Sequence, residues 1–315
     1  MLVRLWKRFF PVVICLFLFS GTVFSQQTPT APEKTVPPKQ EVPEATSEEA
    51  LQKATQNPVA SLISVPVQNN NNFGIQPGDR VQDVLNIQPV IPIGVSKDWN
   101  LIVRWITPII YQPLPAPSPA PQTGVYGLGD MQPSFFFSPK KAGKIIWGAG
   151  PIVQLPTATS DYLGQGKLGL GPSVVVLTQP GHWTLGGLAN NVWSVAGSGT
   201  RPAVNQMLFQ YFINYNLKKG WFITWQPTLT ANWEADNNRW VVPFGGGVGR
   251  IMKLGFQPVN LTAQFYGNAV HPPGTSSWTM RLQIAFLFPK LTKEQEKMMM
   301  EKKLKQMEQE QPQQK

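Results

Sequence analysis

Cysteine, histidine and charged residues are all scarce in this 315-residue chain. It has one Cys, two His and only 14% charged residues, against roughly 25% charged residues in an average soluble domain. The single Cys excludes a disulfide framework and a Cys-based metal site. His182 and His271 fall at opposite ends of the topology developed below, so we expect no metal site and no cofactor. Beyond residues 1–25, which are discussed next, no apolar run reaches the about 18 residues that a membrane-spanning helix needs.

Residues 1–25 have the pattern of a secretory signal. Basic residues precede an apolar run from Phe9 to Phe19, and Val23 and Ser25 place small residues ahead of a cleavage site. An uncleaved anchor is the alternative, but the run is shorter than the roughly 20 residues that span a bilayer. Cleavage after Ser25 removes Cys15, so the mature chain is predicted to contain no cysteine.

Two segments of low apolar content flank the rest of the chain. Residues 26–56 are rich in Pro, Glu, Lys, Thr and Gln, which predicts a disordered periplasmic spacer that ends in a short helix near 47–55. Residues 290–315 form a Lys, Glu and Gln run, predicted to be a solvated helix or a frayed tail. A periplasmic partner that binds either extension is the possibility left open.

Polar and apolar side chains alternate through residues 57–289. In 206–217, for example, Gln206 and Gln210 share one parity, whereas Met207 and Phe209 share the other. Such alternation predicts β-strands with one apolar face and one face of amides and hydroxyls. The same rule predicts twelve strands, at 59–67, 83–95, 100–112, 130–139, 145–156, 168–178, 183–195, 205–217, 221–233, 240–251, 258–270 and 278–288.

The predicted connections alternate between short turns and longer loops. The turns are 96–99, 140–144, 179–182, 218–220 and 252–257, and the loops are 68–82, 113–129, 157–167, 196–204, 234–239 and 271–277. This asymmetry is typical of outer-membrane barrels, although 234–239 is short for a loop. An even strand number also keeps both termini on the periplasmic side.

Aromatic residues distinguish a membrane barrel from a soluble β-sandwich, since the strands of both alternate. Large aromatics stand at both ends of the apolar face of three strands, in the pairs Trp183 and Trp193, Trp221 and Trp233, and Trp278 and Phe288. Their spacing climbs roughly 25–30 Å along a tilted strand, about the height of the apolar band between two interfacial belts. We therefore predict an all-β transmembrane, antiparallel, up-and-down β-barrel of about 12 strands.

Several motifs in order resemble one family of bacterial outer-membrane proteins. They are QNPVASLISVPVQNNNNFG from Gln56, NIQPVIPIG and DWNLIVRWITPIIYQP within 83–113, GLGDMQPSFFFSP from Gly127, WGAGPIVQLPTAT from Trp147, LANNVWSVAG from Leu188, WVVPFGGGVGR from Trp240 and QPVNLTAQFYGN from Gln257. Members are labelled as transporters or as neuromedin U-like, and are grouped with outer-membrane proteins of phenol meta-cleavage pathways. The resemblance implies a Gram-negative outer-membrane barrel with a transport role.

The last predicted strand is similar to the signal that the barrel-assembly machinery reads. Its sequence, MRLQIAFLF, ends at Phe288, although the chain continues beyond it. We accordingly expect the outer-membrane lipid and the assembly machinery as partners, together with an unidentified small permeant.

Strand parity also predicts which polar side chains face the lumen. The candidate permeation residues are Arg104, Asp130, Gln132, Gln154, Asn190, Gln210, Asn214, Gln226, Gln264, Arg281 and Gln283. Amides replace water around a solute, and the two arginines favour anions. A cross-strand pair of Arg104 with Asp130 is expected, as a staple or as part of a constriction. The alternative is a plugged lumen in which these groups satisfy one another.

The leading functional hypothesis is a passive channel for small solutes, with aromatic and weakly anionic compounds as candidates. A structural or adhesive barrel, whose spacer, Pro-rich 114–121 loop or tail binds a partner, is the alternative. We expect no enzyme, since His271 with Ser276 or Ser277 is the sole catalytic candidate. The net charge of +10 does not indicate nucleic-acid binding, because the cations are dispersed over turns. Arg250 is predicted to face lipid unless a bulge or an interfacial position accommodates it.

Overall fold

The computed structural model describes residues 48–114, 124–141 and 143–289. These residues form one helix, α1 (Glu48–Thr55), and twelve strands, some in two parts: β1 (Ile63–Ile75), β2 (Arg80–Ile87 and Val90–Gly94), β3 (Trp99–Pro113), β4 (Gly124–Leu128 and Gln132–Pro139), β5 (Ile145–Gln154), β6 (Lys167–Thr178), β7 (Trp183–Gly197), β8 (Asn205–Asn216), β9 (Trp221–Trp225 and Thr228–Asn232), β10 (Trp240–Leu254), β11 (Gln257–Val270) and β12 (Trp278–Phe288). In this part of the chain no helix has the length and apolar character to cross a membrane. The predicted leader and tail lie outside the described residues.

The strands close into a single antiparallel barrel. Each strand pairs with the next in sequence, and β12 returns to β1 in continuous register from Ile63 opposite Phe288 to Phe73 opposite Trp278. Closure leaves no unpaired edge, which is the condition for a sheet in lipid. The prediction of an all-β, up-and-down barrel of 12 strands is confirmed.

The two ends of the barrel differ in the length of their connections. The end at which β1 begins and β12 finishes, called here the turn end, has connections as short as Gly255 and Phe256 between β10 and β11. The opposite end, the loop end, carries longer connections such as 155–166 between β5 and β6. This is the asymmetry that the sequence predicts.

The first strand lies further along the chain than predicted. It was expected at 59–67 with a long loop at 68–82, but β1 spans Ile63–Ile75 and a turn at 76–79 leads into β2. An asparagine run, 69–72, favours a turn by local preference. In the barrel its amides bond across the strands instead, as where Asn72 Nδ2 donates to Gln82 Oε1 at 2.8 Å. Cross-strand pairing therefore overrides the local preference here.

Strand alternation separates a polar inner face from an apolar outer face. In β9, Thr224 points inward and is fully buried, whereas Trp221 and Trp225 point outward and are partly exposed. Outward aromatic side chains stand near both ends of the strands: Trp99, Trp147, Trp183, Tyr215, Trp221 and Phe288 at the turn end, and Phe73, Trp193, Trp233, Trp240 and Trp278 at the loop end. Neighbouring rings touch, with centroids 5.8 Å apart for Trp99 and Trp147 and 5.4 Å apart for Trp233 and Trp240.

The lumen contains a segment of the chain's own amino-terminal part. Residues 48–62, called here the inner segment, comprise α1 and the stretch that leads to β1. On one wall Val59 packs with Ile102, Phe136 and other inward apolar side chains. On another wall Leu51, Ala54, Ala60 and Leu62 pack with Phe222, Ile251, Ala285 and Leu287. The inner segment therefore occupies the lumen between the strands near the turn end.

Candidate permeation pathway

A cavity of about 500 Å³ lies in the lumen and is called here the main cavity. Every strand except β6 contributes at least one lining residue, so the barrel wall itself encloses the cavity. Most of its lining side chains are amides and hydroxyls, among them Gln68, Asn70, Asn72, Gln82, Asn86, Gln88, Gln132, Ser134, Asn190, Gln210, Thr228, Thr230, Asn268 and Thr279. Such groups both donate and accept hydrogen bonds, so they can replace the water around a polar solute.

Two smaller cavities adjoin the main cavity. The loop-end cavity, about 400 Å³, shares Gln132 and Asn190 with it and is also lined by Gln154 and by Arg239. The inner cavity, about 150 Å³, shares Arg104 and Gln210 with it and is also lined by residues of the inner segment. The cavity nearest the turn end, where the inner segment lies, therefore has the smallest volume of the three.

Hydrogen bonds hold the inner segment against the wall at several points. Gln56 Nε2 donates to Asn216 Oδ1 at 2.8 Å, and Gln52 Nε2 donates to the carbonyl oxygen of Trp221 at 3.1 Å. Further along, Asn100 Nδ2 donates to Ser61 Oγ at 2.9 Å. These polar contacts and the apolar contacts of Val59 and Leu62 hold the segment in place, and its covalent connection to the wall is the chain that continues into β1.

Two arginines bring positive charge to the main cavity. Arg104 Nη2 donates to Gln88 Oε1 at 2.7 Å. Arg281 Nε donates to Asn70 Oδ1 at 2.9 Å, and its guanidinium carbon lies 4.9 Å from the ring centroid of Tyr266. Both side chains are only partly buried and line the cavity, so their remaining N–H groups are accessible from it.

The structure brings most of the sequence-predicted lumen residues together. Arg104, Gln132, Asn190, Gln210 and Arg281 line the main cavity. Gln154 lines the loop-end cavity, and Gln226 and Gln283 line the inner cavity. Asn214 and Gln264 are buried in the wall, where Asn214 Oδ1 accepts from Gln226 Nε2 at 3.0 Å and Gln264 Nε2 donates to Thr224 Oγ1 at 3.4 Å.

Asp130 has a different position from the one expected. Its carboxylate accepts from the backbone N–H groups of Ala158, at 3.2 Å, and Gln165, at 2.6 Å, in the 155–166 connection. It forms no ion pair with Arg104, whose acceptor is Gln88. Asp130 lies between the two parts of β4, where the interrupted strand lets its side chain reach the loop. The expectation of an Arg104–Asp130 pair is therefore wrong.

Several lining residues were missed by the sequence analysis. Gln68, Asn70 and Asn72 line the main cavity from β1, and Gln82 does so from β2. They were assigned to a loop because the first strand was placed too early. Gln68, Asn70 and Asn72 occupy even positions, between the apolar odd positions Val67 and Phe73. This parity was the signal that could have placed them in a strand.

Arg250 lies on the outer face at the turn end. Its guanidinium carbon is 5.1 Å from the centroid of the Trp221 ring, in the belt of aromatics. Its cross-strand neighbour in β9 is Trp221 itself. A register-shifting bulge or an interfacial position was expected for this residue. Its place on the outer face beside Trp221, among the turn-end aromatics, agrees with the interfacial position.

The serines near His271 have other hydrogen-bond partners. His271 Nδ1 lies 3.3 Å from Thr275 Oγ1 and 3.1 Å from the carbonyl oxygen of Pro272. Ser276 Oγ accepts from Asn268 Nδ2 at 3.1 Å, and Ser277 Oγ donates to the carbonyl oxygen of Phe73 at 3.4 Å. The loop thus does not present the hydrogen-bonded Ser–His pair that a hydrolase of this type requires.

Comparison with known proteins gives matches at the level of structure. No family model and no curated protein matches this chain by sequence. The COG4313 outer membrane channel from Pseudomonas putida F1 is 12% identical with a TM-score of 0.56, and the match covers 72% of this chain and 96% of that one. The NanC porin is 10% identical with a TM-score of 0.46, covering 72% of this chain and 100% of that one.

A third match is the outer membrane phospholipase A from Escherichia coli. It is 10% identical with a TM-score of 0.39, covering 74% of this chain and 100% of that protein. Identities this low show the fold and nothing of the activity. The chain therefore has the fold of the outer-membrane β-barrels.

Proposed function

We propose that this protein is an outer-membrane channel for small polar solutes, with the turn end in the periplasm. The observation that carries the proposal is the series of adjoining cavities inside the closed barrel, lined by amides, hydroxyls and three arginines, Arg104, Arg239 and Arg281. The short turns, the start of β1 and the finish of β12 all lie on one side, as in outer-membrane barrels whose termini are periplasmic.

The inner segment makes this a restricted channel rather than an open pore. A barrel of this strand number is wider than an eight-stranded one but narrower than a porin, and here the inner segment fills part of the lumen at the turn end. Solute passage then depends on a narrow route beside the segment or on its displacement. The polar side chains of the inner cavity offer hydrogen bonds to a solute that takes the first route.

Planar-bilayer recording of the purified, refolded protein tests this proposal. Folding is checked first by the heat-dependent mobility of the barrel on a denaturing gel. We expect discrete conductance steps that are small for a barrel of this size, because the inner segment narrows the lumen. Liposome swelling with small organic acids and phenols then compares the solutes. A folded protein that gives neither conductance nor swelling would contradict a channel for polar solutes.

A further inference from the structure

The main cavity carries positive charge that nothing on its lining neutralises. Arg104 and Arg281 are its charged lining residues, and no Asp or Glu of the described chain lines it. Over the same residues the ion pairs are Lys53 with Glu49 and Arg201 with Asp161, both outside the cavity. Each lumenal guanidinium therefore faces the cavity with neutral partners alone.

The neutral partners hold the guanidinium groups in place but leave donors free for a ligand. A guanidinium has five N–H donors. Arg104 uses one of its terminal nitrogens for Gln88, and Arg281 uses Nε for Asn70 and Nη1 for the carbonyl oxygen of Gln226 at 3.1 Å. An amide oxygen solvates a cation without cancelling its charge, so an anion that enters gains charge-assisted hydrogen bonds with little competition.

The rest of the lining indicates what else the ligand carries. Amides and hydroxyls such as Gln68, Asn86, Gln132 and Thr228 surround the same space. They match a solute with several hydroxyl or carbonyl groups better than an apolar one, because an apolar solute would leave them without partners. A volume of about 500 Å³ is within the range of small-molecule binding sites.

We infer that the main cavity is a binding site for a small hydroxylated carboxylate, whose carboxylate Arg104 binds while the surrounding amides bind its hydroxyl groups. Arg281, held by Asn70 and by the Tyr266 ring, contributes a second positive charge to the same space. Guanidinium suits this task because its planar fork matches the two oxygens of a carboxylate. The site lies in the lumen of the proposed channel and rests on that function, but binding at the site can be measured without permeation.

Calorimetric titration of the folded, full-length protein in a zwitterionic detergent tests the site. The probe is sodium gluconate at low ionic strength, and sorbitol is its neutral counterpart. We expect saturable binding of gluconate and much weaker binding of sorbitol. Arg104→Gln should weaken gluconate binding by about ten- to hundredfold, as expected for loss of hydrogen bonds to a charged group. Arg104→Lys keeps the charge but not the planar fork, so its affinity for gluconate should lie between that of the wild type and that of Arg104→Gln.

Arg250→Gln is the matched control, because it removes the same charge from the outer face, where Arg250 contacts Trp221. Its gluconate affinity should equal that of the wild type. Equal binding of gluconate and sorbitol, or an unchanged affinity in folded Arg104→Gln, would overturn the assignment. The two proposals can fail separately. Arg104-dependent binding without conductance would contradict the channel and support the binding site, whereas conductance without such binding would contradict the binding site and support the channel.

Discussion

At the scale of single residues, small inward positions decide whether the inner segment fits. Gly148 of β5 is the clearest case, since a Cβ added there would lie 2.9 Å from Val59 Cγ1 and 3.3 Å from the Cβ of Phe136. Only a residue without a side chain lets Val59 approach the wall this closely. The absence of a side chain at Gly148 therefore makes room for the inner segment, and nothing in β5 itself is needed to explain it.

Gly148→Leu should displace the inner segment and raise the mean conductance. Overpacking of this kind typically costs about 1–3 kcal/mol. The segment can relieve the strain by moving because, apart from its continuation into β1, only non-covalent contacts hold it to the wall. Planar-bilayer recording measures the effect. Gly143→Leu, at a turn position where nothing lies within 4 Å of an added Cβ, is the control and should conduct like the wild type. Unchanged currents in a folded Gly148→Leu protein would contradict this account.

Asp130→Asn should loosen the 155–166 connection and leave ion selectivity as it is. The carboxylate of Asp130 accepts two backbone hydrogen bonds from this loop, one on each oxygen. An amide in its place has one acceptor oxygen and no charge, so one bond is lost and the other is weakened. Limited proteolysis should therefore cut the loop several-fold faster. Asp98→Asn, in a turn at the opposite end, provides the comparison. If Asp130→Asn changed the reversal potential and left the rate of loop cleavage unchanged, Asp130 would belong to the permeation route instead.

At the scale of elements, the inner segment and β1 show where local sequence and tertiary contacts disagree. A helix near 47–55 was expected at the end of a disordered spacer, and α1 does form at Glu48–Thr55. Its position inside the barrel was not expected, because its partners come from distant strands, such as Asn216 for Gln56. The same applies to β1, whose asparagines bond to β2 in spite of their preference for turns.

A reversible disulfide between the inner segment and the wall should control the conductance. Val59→Cys with Gly148→Cys places two Cβ atoms within reach of each other, given the 2.9 Å from Val59 Cγ1 to a Cβ at 148 and the roughly 3.5–4.5 Å between Cβ atoms across a disulfide. Cys15 is the only natural Cys, so no other thiol competes in protein that is produced without residues 1–25. We expect small, steady currents when oxidised and larger openings after reduction.

Two comparisons make the disulfide experiment decisive. Val59→Cys alone cannot form the link, so its currents should not respond to the reductant. Equal currents from the oxidised and the reduced double variant would show that the inner segment does not move during conduction. In that case the solute would have to pass beside it, through the inner cavity.

At the scale of the whole molecule, an uncompensated positive lumen should make the channel anion-selective. In a salt gradient the wild type should show an anion-preferring reversal potential, and Arg104→Gln with Arg281→Gln should bring it near that of a non-selective pore. The preference should weaken at high salt, since the Debye length shortens from roughly 10 Å at 0.1 M to 3 Å at 1 M. Arg250→Gln should keep the preference of the wild type. A cation-selective wild type would contradict the assignment of the lumenal charge.

The sequence by itself determined the barrel, its two faces and most of its strands. Alternation and the spacing of aromatics are local properties, because a strand repeats every two residues whatever its neighbours are. Only the tertiary structure decided that the inner segment fills the turn end, that Asp130 anchors a loop and that Arg104 bonds to Gln88. Each of these depends on which distant residues meet once the barrel closes, and strand periodicity carries no information about such contacts.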